Sequence, residues 1–269
     1  MKSLNGAELA GFIKERQLHA VRGLRQSKNI IPKLAIIRTN PDPVVDSYMK
    51  LKQTYGNDIL IEVDVHTIDQ SQALERIVEL NMDDSVHGII VQIPLPDPKQ
   101  TTDILNAVAS DKDVDGLAKT TNFDPATPMA ISWLLAGYNV DLKDKKLVII
   151  GHGRLVGAPL ARMWRSSGFD VTVADKQTAD LPEATNSADV LVTATGVPGL
   201  IKKDMVKPNV IIVDAGVATD SNGLIGDVDP EVRDLPEITI TPEKGGVGPL
   251  TVCALFENVI RSARRQAEA

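Results

Sequence analysis

The sequence contains little that would bind a metal, form a disulfide or cross a membrane. A single cysteine, Cys253, excludes an internal disulfide, and its apolar neighbours predict a buried thiol. The four histidines lie without the spacing of metal ligands, so metal catalysis has no support. No apolar run approaches the roughly 18 residues of a membrane span, and the amino terminus lacks the pattern of a signal peptide. We therefore expect a cytoplasmic protein that binds neither metal nor membrane.

An excess of basic residues is also absent. The chain carries 29 Lys and Arg against 36 Asp and Glu, for a net charge of −7, so it has no positive field to hold nucleic acid. Hydrophobic residues make up 43% and charged residues 24%, as is typical of globular proteins. A length of 269 residues suits one large or two ordinary α/β domains, and we expect two.

The most informative stretch is a strand that leads directly into a glycine-rich turn and a helix. Residues 146–150 have the length and branching of a buried parallel strand, and Gly151-x-Gly153-x-x-x-Gly157 follows. The first two glycines allow a sharp turn and the close approach of a phosphate, and the third lets the helix pack on its strand. The helix N-terminus offers free N–H groups to an anion. The next predicted strand ends at Asp175, near the place where an acidic residue binds a ribose hydroxyl, so we predict a dinucleotide site.

The rest of the chain alternates apolar strands with amphipathic helices. The other predicted strands span residues 33–39, 59–65, 88–93, 169–174, 190–194, 210–213 and 238–241. The predicted helices span residues 7–25, 43–55, 71–82, 99–109, 129–138 and 250–265. This alternation predicts an α/β protein of two domains, each a mostly parallel sheet with flanking helices, the C-terminal one a Rossmann-type nucleotide-binding domain.

Three polar side chains occupy positions that suit chemistry. Lys52 borders the apolar stripe of its helix one turn from Tyr48, where burial would lower its pKa, although its stem could simply cover the stripe. Gln92 interrupts a buried strand at the carboxyl end, where open sheets bind ligands, although a backbone hydrogen bond would equally explain it. Asp115 could bind adjacent N–H donors of a ring or be a solvated loop acid, and its loop has too few oxygen ligands for a cation.

Eight short motifs are distributed along nearly the whole chain. They are Tyr48-x-x-x-Lys52, Val91-Gln92-Ile93-Pro94-Leu95-Pro96, Lys112-Asp113-Val114-Asp115-Gly116, Pro125-x-Thr127-Pro128, the glycine turn with Val156-Gly157-x-Pro159, Asp214-x-Gly216, Gly226-Asp227-Val228 and Gly245-Gly246-Val247-Gly248-Pro249-x-Thr251. In this order they resemble the bifunctional methylenetetrahydrofolate dehydrogenase/cyclohydrolase family. The resemblance implies oxidation of 5,10-methylenetetrahydrofolate to the methenyl compound and hydrolysis of that compound to 10-formyltetrahydrofolate.

The resemblance also implies a folate site between two domains. Lys52 would be the catalytic lysine, Gln92 would orient it, Tyr48 would pack against the folate and Asp115 would hold the pterin ring. The further substrate contacts that it implies are Val91, Ile93, Gly245, Gly246, Val247 and Gly248. A neutral amine suits the reaction, because a permanent cation would disfavour the methenyl cation while a neutral amine can move protons in the hydrolytic step.

The family's usual coenzyme is NADP, but residues beside the glycine turn depart from its pattern. The implied coenzyme contacts are Thr127, Gly151, His152, Gly153, Arg154, Gly157, Asp175, Lys176 and Val217. The carboxylate of Asp175 disfavours the 2′-phosphate of NADP by charge, whereas Lys176, Arg154 and a protonated His152 could offset it. The sequence therefore leaves NAD and NADP both open.

The domain boundaries and partners follow from the same resemblance. Residues 1–122 with 250–269 would form the folate-binding domain and residues 123–249 the nucleotide-binding domain. The partners would be tetrahydrofolate derivatives and a second copy in a homodimer. Two other functions remain open: a dehydrogenase of another small substrate, such as a shikimate-like acid or an amino acid, and a catalytically silent nucleotide-binding regulator. Lys244 replaces a proline that is common before the glycine pair, and retention of the cyclohydrolase step is also open.

Overall fold

The computed structural model describes residues 2–220 and 223–268, which divide into two compact units. The large-sheet unit contains residues 2–10 and 127–251, and the small-sheet unit contains residues 11–126 and 252–268. The strands of the described residues are β1 (Lys2–Ser3), β2 (Lys33–Arg38), β3 (Glu62–Thr67), β4 (Gly88–Gln92), β5 (Leu147–Ile150), β6 (Val171–Ala174), β7 (Val190–Thr193), β8 (Ile211–Asp214), β9 (Ala218–Asp220), β10 (Gly223–Ile225) and β11 (Thr239–Ile240).

The helices fill the intervals between the strands. The α-helices of the described residues are α1 (Gly6–Lys28), α2 (Pro43–Asp58), α3 (Ala73–Met82), α4 (Thr101–Asn106), α5 (Ala126–Gly137), α6 (Gly157–Ser166), α7 (Leu181–Ser187), α8 (Pro230–Arg233) and α9 (Val247–Gln266). Short 3₁₀ turns span Gln70–Gln72, Pro98–Gln100 and Lys203–Met205. Within the described residues, no helix combines the length and the apolar character needed to span a membrane.

The large sheet has the strand order β1-β11-β8-β7-β5-β6, and all its neighbouring strands are parallel. Its central strands β5 and β7 are buried at every position, as is typical of a parallel sheet with both faces covered. Ile150, Thr193 and Asp214 are in register at the carboxyl ends of β5, β7 and β8. The loops after these strands therefore start from one edge of the sheet, which is where open parallel sheets bind ligands.

The small sheet has the order β3-β2-β4 and is also parallel. The central strand β2 is almost fully buried, whereas β3 is an edge strand that alternates exposed and half-buried residues. The predicted strand 59–65 starts too early and ends too early, since β3 spans Glu62–Thr67. Ile59 and Ile61 are instead buried in a turn around Leu60, whose φ is 64°. With two parallel α/β sheets, the predicted fold class is confirmed.

The chain ends differ from the predicted domain boundaries. Residues 2–10 belong to the large-sheet unit because β1 pairs with β11 and the Ala7 N–H donates to the Gly245 carbonyl at 2.9 Å. Helix α9 starts at Val247 rather than at residue 250, and its residues join the small-sheet unit from position 252 onward. The proline at position 249 still lies in the first turn, where its missing N–H costs no hydrogen bond. Cys253 is fully buried, as predicted.

Candidate active site

Helix α2 carries the candidate catalytic lysine. The Asp42 carboxylate caps the helix by accepting the Val45 N–H at 3.3 Å, and Pro43 occupies the first turn. Lys52 lies three turns further along, with intermediate exposure, and Tyr48 lies one turn before it with 37% of its surface exposed. Tyr48 is therefore partly open to solvent, one helical turn from the lysine.

The lysine and the strand glutamine form a direct hydrogen bond. Lys52 Nζ donates to Gln92 Oε1 at 2.8 Å, and Gln92 Nε2 donates to the backbone carbonyl of Ile93 at 2.9 Å. The second bond fixes the orientation of the amide, so that its oxygen faces the amine. Of the residues beside the glutamine, Val91 is buried and Ile93 is half-buried. The structure thus brings Lys52 and Gln92 together at the carboxyl end of β4.

Burial shifts the pKa values of the lysine and of Asp115 in opposite directions. The pKa of Lys52 lies below its usual range because burial disfavours the ammonium, and the negative charge of Asp115 only partly opposes this. Burial raises the pKa of Asp115 to about 6, while Lys52 lowers it and Asp113 adds to the rise. At neutral pH the carboxylate therefore predominates, and a neutral amine is accessible.

The loop that carries Asp115 is held by the buried lysine before it. Lys112 Nζ donates to the carbonyls of Leu80, Asn81 and Asp83 at 3.1, 2.9 and 2.8 Å, at the carboxyl end of α3. A cation placed there also interacts favourably with the helix dipole. Only 4% of Lys112 is exposed. Lys112 thus fastens the loop to the sheet-flanking helix, a role that sequence reasoning missed.

Two more buried side chains complete the support of this loop. The Asp113 carboxylate accepts the Ala118 N–H at 3.0 Å. Burial raises the pKa of Asp113, although hydrogen bonds from Ala118 and neighbouring backbone N–H groups oppose the rise. Asn258 on α9 donates from Nδ2 to the carbonyls of Val114 and Asp124, each at 2.9 Å. The backbone on both sides of Asp115 is therefore fixed within the small-sheet unit.

Among residues 2–220 and 223–268, no cluster of three or more His, Cys, Asp or Glu is placed to hold a metal ion.

The glycine turn follows β5 in the large-sheet unit and has the geometry that a phosphate needs. Gly151 has a φ of 97°, and a Cβ there would lie 2.7 Å from the Ala194 carbonyl oxygen. A Cβ on Gly157 would lie 1.9 Å from the Gly151 carbonyl oxygen, so only glycine lets α6 start against the turn. A Cβ on Gly153 would meet nothing within 4 Å. Gly153 therefore faces open space that the backbone of a dinucleotide can approach.

The side chains beside this turn are exposed and of mixed charge. His152, Arg154 and Lys176 are exposed. Asp175 is also exposed, and its Oδ1 accepts the Gln177 N–H at 2.8 Å. One oxygen of this carboxylate thus supports its own loop.

The remaining predicted contacts also lie in the large-sheet unit. Val217 is 56% exposed, and Thr127 Oγ1 accepts a hydrogen bond from Thr251 Oγ1 at 3.4 Å. Gly245 has a φ of 82°, and a Cβ on Gly6 would lie 1.9 Å from the Gly246 carbonyl oxygen, so the start of α1 packs directly on this loop. Val247 is buried and Gly248 is exposed. The structure thus distributes the predicted residues over two sites: Tyr48 to Asp115 in the small-sheet unit and the others in the large-sheet unit.

These features define a class of protein. A glycine turn at the carboxyl edge of a large parallel sheet is typical of a dinucleotide-binding unit, and the lysine, amide and carboxylate of the small-sheet unit are side chains that suit proton transfer. The class is an α/β protein that combines a nucleotide-binding unit with a separate catalytic unit.

Comparison with known proteins gives the particular family. The tetrahydrofolate dehydrogenase/cyclohydrolase catalytic domain matches residues 4–115, and the NAD(P)-binding domain of the same family matches residues 125–267. The bifunctional protein FolD of Campylobacter jejuni (strain RM1221) is 38% identical over 281 residues, covering 99% of both chains. The chain belongs to the tetrahydrofolate dehydrogenase/cyclohydrolase family, as its motifs indicated.

Solved structures agree with this assignment. The crystal structure of the bifunctional enzyme FolD from Campylobacter jejuni matches with a TM-score of 0.92 and 38% identity, covering 98% of this chain and 99% of that one. The Trypanosoma brucei N5,N10-methylenetetrahydrofolate dehydrogenase-cyclohydrolase, solved with NADP and an inhibitor, matches with a TM-score of 0.92 and 26% identity over 99% and 98% of the two chains. The alternatives of another small-molecule dehydrogenase and of a silent regulator are not favoured by these relatives.

Proposed function

We propose that the protein oxidises 5,10-methylenetetrahydrofolate to 5,10-methenyltetrahydrofolate with NAD(P)⁺ and hydrolyses the product to 10-formyltetrahydrofolate. The small-sheet unit binds the folate and the large-sheet unit binds the coenzyme. The observation that carries the proposal is the hydrogen bond of 2.8 Å between Lys52 and Gln92, with the pKa of the lysine lowered by burial. Such a lysine serves proton transfer beside a substrate that becomes a cation.

The residues of the small-sheet unit suit both reactions. Asp115, ionised at neutral pH, accepts hydrogen bonds from adjacent N–H groups of the pterin, and Tyr48 packs on the folate rings. A neutral Lys52 adds no charge that would oppose the methenyl cation. In hydrolysis, water attacks the methenyl carbon and Lys52 accepts one proton from this water, which leaves a hydroxyl on the carbon. The bond between N5 and the carbon then breaks, N5 takes the proton from Lys52, and the hydroxyl releases its own proton to solvent as the formyl C=O forms. Gln92 keeps the amine oriented through these transfers.

The residues of the large-sheet unit fit a nicotinamide dinucleotide. Gly151, Gly153 and the start of α6 at Gly157 would hold the pyrophosphate, and Asp175 or Lys176 would lie beside the adenosine ribose. The bound coenzyme supplies the acceptor for the hydride that leaves the methylene carbon.

The charges beside the ribose set the choice of coenzyme. Asp175 favours NAD and opposes the 2′-phosphate of NADP, whereas Lys176 and Arg154 favour NADP. Comparing kcat/KM with the two coenzymes decides between them. A strong preference for NADP would show that the Asp175 carboxylate points away from the ribose.

The main test uses two lysines of the same helix. Lys52→Met should lower both activities by at least about 100-fold, the scale of acid–base catalysis, while coenzyme binding is retained. Lys50→Met is the matched control, because Lys50 is exposed and is not part of the Lys52–Gln92 pair. The assay follows reduced coenzyme, methenyl and formyl products by absorbance. A fully active Lys52→Met protein would exclude the mechanism, and a wild-type protein inactive on folate would exclude the function.

The homodimer that the family resemblance implies stays a prediction. Sedimentation velocity of the purified protein measures it directly.

A further inference from the structure

Two aspartates of the large-sheet unit lie against each other's glycines. Asp214 ends β8, and Asp227 follows β10, at the far side of the β9–β10 hairpin. A Cβ on Gly216 would lie 2.0 Å from Asp227 Oδ1, and a Cβ on Gly226 would lie 2.1 Å from Asp214 Oδ2. Each carboxylate thus fills the space of a side chain at the glycine beside the other aspartate. We call these four residues the aspartate–glycine clasp.

The Asp227 carboxylate of the clasp holds the start of the loop after β7. Asp227 is fully buried, and its Oδ2 accepts the Thr193 hydroxyl at 2.6 Å and the Thr195 N–H at 2.7 Å. The Asp214 carboxylate holds the loop after β8 against Asp227. Its Oδ1 accepts the N–H groups of Gly216 and Asp227 at 3.2 and 3.0 Å. The clasp therefore joins two loops that are separate in sequence.

Only one of the two buried carboxylates has a cationic partner among the described residues. Asp214 Oδ2 accepts from Arg233 Nη2 at 3.2 Å and from the Val228 N–H at 3.1 Å. Asp227 Oδ1 is buried and has no hydrogen-bond partner in the part of the chain that the structure describes. Keeping an incompletely paired buried carboxylate is costly, so stability alone does not account for it.

The position of the clasp indicates what it serves. Thr193 and Asp214 are in register at the carboxyl ends of neighbouring strands, at the sheet edge that also carries the glycine turn. The loops that the clasp joins continue into Thr195-Gly196 and into Gly216-Val217, where Val217 is 56% exposed. The clasp thus fixes the backbone of two loops at the ligand-binding edge.

We propose that Asp227, together with Asp214, positions the loops after β7 and β8 for contact with the dinucleotide, and that it acts on coenzyme binding without taking part in the folate chemistry. This inference rests on the proposed function for the identity of the reactions. Asp227 is a positioning residue, because among the described residues its side chain contacts Thr193, Thr195 and the other members of the clasp.

The test separates coenzyme binding from hydrolysis within one protein. Asp227→Leu keeps the branching at Cγ but removes both acceptors, and it should raise the Kd for NAD or NADP, measured by titration calorimetry, at least about tenfold, with a matching rise in the coenzyme KM. Hydrolysis of methenyltetrahydrofolate needs no hydride acceptor and should stay within about twofold of wild type. Asp227→Asn retains an acceptor oxygen and should recover most of the affinity.

Two more variants keep the inference open to refutation. Thr193→Val replaces only the hydroxyl donor, with a methyl group. It should weaken coenzyme binding and leave hydrolysis unchanged, and it serves as the test if Asp227→Leu does not fold. Asp229→Asn is the matched control, because this nearby aspartate caps α8 and pairs with Lys202 at the surface. It should bind coenzyme normally.

Two results would overturn the inference. The first is an unchanged coenzyme Kd in Asp227→Leu, or in Thr193→Val if the leucine variant does not fold. The second is an equal loss of hydrolysis and of coenzyme binding in a folded variant. Should the wild-type protein be inactive on folate, the proposed function fails separately, and the dinucleotide titrations still decide the role of Asp227.

Discussion

The hydrogen bond between Gln92 and Lys52 allows the pKa of the lysine to be shifted in either direction by substituting Gln92. Gln92→Glu replaces an amide oxygen by a carboxylate oxygen 2.8 Å from Nζ. Two unit charges at that distance attract by about 6 kcal/mol at an effective dielectric constant of about 20. Both side chains retain intermediate exposure, so we take about a third of this, or about 2 kcal/mol, to allow for solvent screening.

The direction in which the pH dependence of hydrolysis moves follows from the mechanism, in which the neutral amine of Lys52 is the active form. A carboxylate at position 92 stabilises the ammonium of Lys52, so the rise in hydrolysis rate with pH should move about 1.5 pH units upward. At a pH below the rise, the hydrolysis rate of Gln92→Glu should be about 30-fold lower than that of wild type. Gln92→Met removes the acceptor instead. It should move the rise in rate about one to two pH units downward, because a hydrogen bond to a charged group is worth about 1.5 to 3 kcal/mol.

The assay is the initial rate of methenyltetrahydrofolate hydrolysis from about pH 6 to about pH 9. Coenzyme affinity, measured in parallel, serves as the control because Gln92 lies in the small-sheet unit, and it should not change. If the rise in rate of Gln92→Glu stays in place or moves to lower pH, then the rate does not depend on a neutral lysine, and the reasoning is refuted.

Three further predictions follow from other contacts. Substrate KM should rise as the pH falls through about 6, because protonation of Asp115 removes the carboxylate that holds the pterin, and Asp115→Asn should lose this dependence. His87 accepts a backbone N–H at 3.2 Å and its pKa is lowered by burial, so the free energy of unfolding should decline as the pH falls below the usual histidine value of 6.5. Urea titrations should show this decline in wild type and a weaker one in His87→Leu. Gly157→Ala should lower the melting temperature, since its Cβ would overlap a carbonyl oxygen, whereas Gly153→Ala should keep the melting temperature and weaken coenzyme binding; equal melting temperatures would contradict this steric argument.

Apolar periodicity predicted most helices and strands. It failed where apolar residues are buried outside a strand and where a strand is polar. Ile59 and Ile61 have the composition of a strand, yet they pack in a turn, while the true strand β3 is polar because it lies at an edge. The short helices α7 and α8 were not predicted. Each has an aspartate cap, at Asp180 and Asp229, followed by a proline in the first turn, so cap chemistry would have located both.

The candidate site was predictable only in part. Helical spacing placed Lys52 at the edge of an apolar stripe, but its bond to Gln92 depends on where the fold places α2 relative to the end of β4, which no local pattern contains. The roles of Lys112 and Asp113 were missed because a charged loop is ordinarily solvated. Lys112 is buried by carbonyls about 30 positions away in sequence, at the end of α3, and such long-range partners are invisible to spacing.

The polar edge strand β3 has a consequence for self-association. In the described residues its only ladder partner is β2, so its outer N–H and C=O groups could template the strand of another molecule. Glu62 and Asp64 project from this strand, and Lys33 of β2 holds both within 4 Å, at 3.5 and 3.8 Å. Edge-to-edge pairing of two copies through β3 would bring these acidic side chains close together, and charges on an edge strand oppose such pairing.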